Sequence, residues 1–143
     1  MTPALIADSG GLLRAVTVDR RGRQEWPAFA RELSTTVAVI VPALVLAEVD
    51  YFLREDRRAM RRLIAEIFDP NMRYQFEATS PADVVRAMQL DSKFADLKLG
   101  LVDGLVAAVA ERRRVYRVLT VDRADFSALR VGEKYNRTLT LLP

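Results

Sequence analysis

The chain has 143 residues, half of them hydrophobic, with no histidine, no cysteine and a formal net charge of +3. That length supports one ordinary domain, and the missing cysteines exclude a disulfide framework, a thiolate nucleophile and a cysteine-type zinc site, which fits a reducing cytoplasm. The missing histidines remove the usual general base of hydrolases and the imidazole of most transition-metal sites, so any hydrolysis has to run on carboxylates.

Residues 3–7 form a short apolar run expected to be a buried first strand, with Asp8, Ser9, Gly10 and Gly11 following it as a turn. Asp8 then stands at a strand's C-terminal end, where ligands collect in open parallel α/β sheets; an Asp before a helix also serves as an N-cap. Residues 17–26 are polar and read as a loop with a solvated surface, leading into a helix over residues 27–33. Residues 37–41 read as a second strand, and Pro42 suits a helix start. The longest apolar run, 37–47, is too short to span a bilayer, and the first ten residues lack the form of a secretory leader.

The next helix is expected over residues 43–53, where Leu44, Val45, Tyr51 and Phe52 set Glu48 among residues that should be buried. A further helix over 57–68 completes the basic cluster Arg54, Arg57, Arg58, Arg61 and Arg62, a candidate phosphate contact, although charge runs on helices are more often plain solvated faces. Arginine dominates the cations, with lysine only at 93, 98 and 134, and its planar fork suits phosphate. A short strand is expected over 74–78. Ser80, Pro81 and Asp83 then have the form of a helix start, with Ser80 as N-cap, and the helix should reach about residue 90.

Leu99, Val102, Val106, Ala107 and Ala110 recur at helical spacing and place Asp103 on the apolar face. A carboxylate there costs several kcal/mol unless a metal or a basic partner compensates it. Arg112, Arg113 and Arg114 suit that helix's C-terminus, and residues 115–121 read as a strand with Asp122 at its end. Asp125 falls in an expected turn before Phe126, and 138–142 closes the chain as a strand. Strand and helix alternate throughout, which predicts a three-layer α/β/α domain with a mainly parallel sheet. Asp8 and Asp122 at strand ends and Glu48 and Asp103 on inward helix faces would form a hard oxygen site suited to Mg²⁺ or Mn²⁺.

Asp8 after an N-terminal strand, VLAEVDYFL at 45–53, FADLKLGLVDGLVA at 94–107 and LTVDRADF at 119–126 together resemble the PIN-domain ribonucleases, and among them the VapC toxins of toxin–antitoxin pairs. The resemblance spans nearly the whole chain in the right order. It implies a single α/β/α domain, Mg²⁺- or Mn²⁺-dependent endoribonuclease activity on RNA, frequent homodimers and a cognate VapB-type antitoxin. It assigns Asp8, Glu48 and Asp103 to the three core metal-binding acids and Asp122 to the fourth. Asp96 takes a supporting place, a metal role for Asp125 is not implied with the same force, and Ser9 and Thr120 are hydroxyls able to orient a carboxylate. Gly104, where relatives carry Ala or Ser, departs from the pattern. A PIN-like module that binds RNA or a partner protein without cleaving is the alternative. An aspartyl-phosphate enzyme or a receiver domain fits less well, because Gly10 replaces the second phosphatase acid and Pro42 and Ala43 replace the receiver's central acid.

Overall fold

Three residues of unbroken apolar chain, Leu5–Ala7, form the central strand β1, and all three are fully buried. In the computed structural model, which describes residues 1–143, β1 is flanked by β2 (Val39–Pro42) and β4 (Arg117–Leu119), with β3 (Tyr74–Glu77) and β5 (Thr140–Leu142) at the edges. The order β3-β2-β1-β4-β5 is parallel at every pairing, with Leu5 opposite Val39 and Ala7 opposite Leu119. The expected mainly parallel sheet is thus wholly parallel. A strand buried on both faces has to be apolar without alternation, as β1 and β2 are.

Seven α-helices connect these strands: α1 (Ser9–Val16), α2 (Pro27–Thr35), α3 (Ala43–Phe52), α4 (Arg57–Ile67), α5 (Pro81–Lys93), α6 (Gly100–Arg113) and α7 (Arg123–Ala128). They complete a three-layer α/β/α arrangement. No helix is long and apolar enough to cross a membrane. Ser80 caps α5 by accepting the Asp83 N–H, and Pro81 takes the first helical position as expected, although α5 runs on to Lys93. From Gly104 to Ala110 every residue of α6 is buried, so this helix is a core element rather than an amphipathic cover.

The turn expected at residues 8–11 is instead the start of a helix. Asp8 caps α1 through its bond from the Ser9 N–H, and Gly10 and Gly11 lie in the first turns. The reason is close packing. A Cβ on Gly11 would sit 2.2 Å from the Leu119 carbonyl oxygen, and one on Gly10 would sit 2.5 Å from Val121 Cγ2. Two residues that ordinarily weaken a helix are tolerated here because only glycine lets α1 lie directly against the end of β4. Gly104 has a similar explanation. A Cβ there would be 3.0 Å from Ala87, so its missing side chain serves the contact between α6 and α5, not the carboxylate face.

Because the clash at Gly11 is with backbone, Gly11→Ala should lower stability by about 3 kcal/mol or prevent folding. Urea denaturation checks this, and a loss below about 1 kcal/mol would mean that α1 can move away from β4 at little cost.

Candidate metal centre

With β1 between β2 and β4, three C-terminal strand ends open side by side, and the chain leaves each of them into a helix. Asp8 follows β1, Glu48 lies in the second turn of α3 after β2, and Asp122 follows β4 and caps α7 by accepting the Asp125 N–H. Asp103 comes from the first turn of α6, where the helix N-terminus favours negative charge.

The groups differ in how they are held. Asp8 is buried, with one oxygen accepting the Ser9 N–H at 2.8 Å and the other accepting the Thr120 hydroxyl at 2.8 Å. Thr120 Oγ1 in turn accepts the Asp122 N–H at 2.9 Å, which links the Asp8 carboxylate to the segment carrying Asp122. The Ser9 hydroxyl donates to Glu48 Oε1 at 2.5 Å. Ser9 and Thr120 therefore both bond acids of the site. Glu48 departs from expectation, because its residue is exposed rather than buried. It projects from α3 into an open groove with Leu44, Ala47, Tyr51, Phe52 and Val102, and the Ser9 bond is what holds it.

Carboxylate oxygens of Asp103, Asp122 and Asp125 all lie within 4.8 Å of one another. The expected turn at Asp125 is α7, and this helix turns Asp125 toward Asp122 and Asp103. Asp125 thus joins the cluster more directly than its sequence position indicated. The legible signal was the pair Asp122 and Asp125, an acid three residues after a capping acid at a helix start. Asp96 lies exposed in a one-turn 3-10 helix, Ala95–Leu97, and is not among the charges that perturb Asp103.

The electrostatics are one-sided. Burial, with added repulsion from Asp8, Asp122, Glu48 and Asp125, raises the Asp103 carboxyl to about 7. Burial also raises Asp8, against the opposing bonds from Thr120 and Ser9, and it raises Asp122 with the help of Asp125. The chain has 22 Lys and Arg residues and forms seven ion pairs, yet none of the seven touches Asp8, Glu48, Asp103, Asp122 or Asp125. Asp8 and Glu48 fall outside that group of three, although both lie near enough to raise Asp103. The residues fit a hard divalent cation: the donors are all oxygen, three of them converge, and no internal ion pair relieves their repulsion.

A PIN domain family model matches residues 6–132, a range that takes in every one of these acids. The chain belongs to the PIN domain family. It is 29% identical over 99 residues to ribonuclease VapC26 of Mycobacterium tuberculosis (strain ATCC 25618 / H37Rv), covering 68% of this chain and 72% of that protein. Among solved structures, M. tuberculosis VapC20, described as a sarcin-ricin loop cleaving toxin, superposes with a TM-score of 0.71 over 87% of this chain and 94% of its own at 16% identity. A chain of Rickettsia felis VapBC2, solved bound to a DNA fragment from their promoter, gives a TM-score of 0.63 at 14% identity, covering 96% of each chain. The latter two likenesses concern the fold.

Asp103 titrates near 3.8 in an unfolded chain and about 7 in this PIN domain, so the folded state holds an extra proton between those values. The stability this confers is complete below 3.8 and is lost as pH rises through about 7. In EDTA at pH 8, Asp103→Asn should therefore stabilise the protein, on the order of 2 kcal/mol, as read by thermal or urea unfolding. An unchanged or lower midpoint would show that the repulsion is relieved in some other way.

Proposed function

We propose that the protein is a metal-dependent endoribonuclease of the VapC toxin type, acting in the cytoplasm on single-stranded or looped RNA. The observation that carries this reading is the cluster of converging acids left without a single internal cation. Membership of the PIN family and the likeness to VapC26 support the reaction class.

Asp8, Glu48, Asp103 and Asp122 are the residues proposed to hold Mg²⁺ or Mn²⁺, with Asp125 as a further carboxylate on the same side. Bound there, such an ion supplies a water acidic enough to ionise near neutral pH and a positive charge against the scissile phosphate. The chain's own residues do the positioning. Thr120 fixes the rotamer of Asp8, Ser9 fixes Glu48, and the N-terminal turn of α6 presents Asp103. With no histidine available, these carboxylates are the groups that can take up and hand on protons.

The expected partners are RNA, a VapB-type antitoxin and a second copy of this chain. For the antitoxin, support comes from the VapBC2 fold neighbour. For the homodimer it comes from α3, where Tyr51 and Phe52 are each 60% exposed and stack edge to face at 5.7 Å beside the apolar groove.

Purified protein should cut cellular RNA into discrete fragments with Mg²⁺ or Mn²⁺, and Asp103→Asn should reduce the rate by about 100-fold or more. The same ions should raise the melting temperature of the wild type and leave that of Asp103→Asn almost unchanged. Metal-dependent stabilisation without cleavage of any RNA would favour the binding module. Sedimentation should show a dimer that Tyr51→Glu with Phe52→Glu converts to a monomer; a wild-type monomer at all concentrations would remove that partner.

A further inference from the structure

The segment between α1 and α2 is the loop with exposed charges that the sequence leads one to expect, and its own backbone bonds order it. Val18 and Gln24 form an antiparallel bridge, the Asp19 N–H donates to the Arg23 carbonyl at 2.8 Å, and Gly22 makes the turn with φ +76°. Asp19, the acid in the turn, is consumed internally. Its Oδ1 accepts the backbone N–H groups of Arg21 at 2.8 Å and Arg23 at 2.9 Å.

The consequence is a fixed hairpin whose three arginines point outward without partners. Arg20, Arg21 and Arg23 are exposed, and none of their guanidinium groups makes a hydrogen bond or an ion pair. At the base of the hairpin, the Arg14 guanidinium lies 4.1 Å from the ring centroid of Trp26, which is 40% exposed. Glu25 is the only other acid in the segment. The α4 cluster that looks more basic in sequence is partly spent within the fold. Arg57 pairs with Asp50, Arg62 pairs with Glu66, and Arg54 donates to the Tyr51 carbonyl.

We propose that this hairpin, with Arg14 and Trp26 at its base, is a second RNA-binding surface that grips the phosphate backbone flanking the cleavage point. The proposal rests on the ribonuclease reading above. Ungrouped guanidinium forks on a rigid turn suit phosphate oxygens, and an exposed indole beside them suits a base or a sugar. Helix α1 connects the two places. It begins at Ser9, beside the acids at the C-terminal edge of the sheet, and runs about 12 Å back toward the opposite edge, where Thr17, Val18 and Gln24 lie near Val39 and Tyr74 at the starts of β2 and β3; an RNA strand laid along α1 covers that distance in a few nucleotide steps. The acid cluster itself offers no cationic side chain to the phosphates on either side of the cleavage point, so a separate cationic surface supplies that grip.

The test uses the full chain with Asp103→Asn to prevent cleavage, and RNA fragments recovered from the wild-type digestion as the probe. Trp26 is the one tryptophan, so its fluorescence reports directly on this patch. RNA should change that emission. Replacing Arg20, Arg21 and Arg23 together with Gln should raise Kd about tenfold and reduce the slope of log K against log salt by about 2. The same charge loss through Arg58→Gln, Arg61→Gln and Arg114→Gln should change both far less. Equal effects from the two triple variants, or an unchanged Kd and slope in the hairpin variant, would overturn the proposal while leaving the ribonuclease reading intact. Retained RNA affinity with lost binding to a poly-glutamate peptide would overturn it in favour of an acidic protein segment. Failure of the wild type to cleave any RNA is a different result, and it would remove the ribonuclease reading itself.

Discussion

Carboxylates that repel one another at the C-terminal edge of the sheet are the constraint on which this structure turns. Burial and mutual repulsion hold Asp103 half protonated near neutrality, and every internal cation is engaged elsewhere or faces solvent. A fold that keeps such a cluster spends stability on it, and a cation bound there would recover that cost. Neighbouring features hold the acids without neutralising them. Thr120 and Ser9 occupy carboxylate oxygens with hydroxyls rather than charges, and the α6 N-terminus supplies only a partial positive charge.

The arginines obey the complementary rule. Arg112 bridges Glu77 and Asp83, and Arg113 also reaches Glu77, tying α6 to β3 and α5 at the end of α6 remote from Asp103. Arg86 pairs with Glu111, which also accepts the Gly132 N–H at 2.7 Å and so fastens the C-terminal segment to α6. Here ion pairs lie between elements and are partly buried, whereas the acids at the C-terminal edge of the sheet have none. Charge is thus sorted by position: paired where it joins elements, unpaired and negative at the acid cluster, unpaired and positive on the hairpin.

Much of this was legible in the sequence because strong local patterns agree with the tertiary fold. Apolar triplets at 5–7 and 39–41 announce buried parallel strands, and Asp8 and Asp122 follow strands whose ends are adjacent. What was not legible depends on packing. Gly10 and Gly11 carry the signature of a turn, and only the approach of Leu119 explains a helix there. Glu48 sits on a helix that is apolar on nearly every side, so no periodicity could tell which face would be left open as a groove. Asp125 was obscured because a six-residue helix with one buried aromatic is too short to register a period. The hairpin was hidden for a simpler reason: nothing in its composition says that Asp19 turns inward to its own backbone.

The central claim is that these carboxylates are a cation site and not a structural accident. Anomalous diffraction from crystals grown with Mn²⁺ tests it most directly. The account predicts an anomalous peak bounded by the carboxylates of Asp8, Asp103 and Asp122, absent from crystals of Asp103→Asn. A cluster without such a peak, in protein that binds Mn²⁺ elsewhere or cleaves RNA in EDTA, would contradict it.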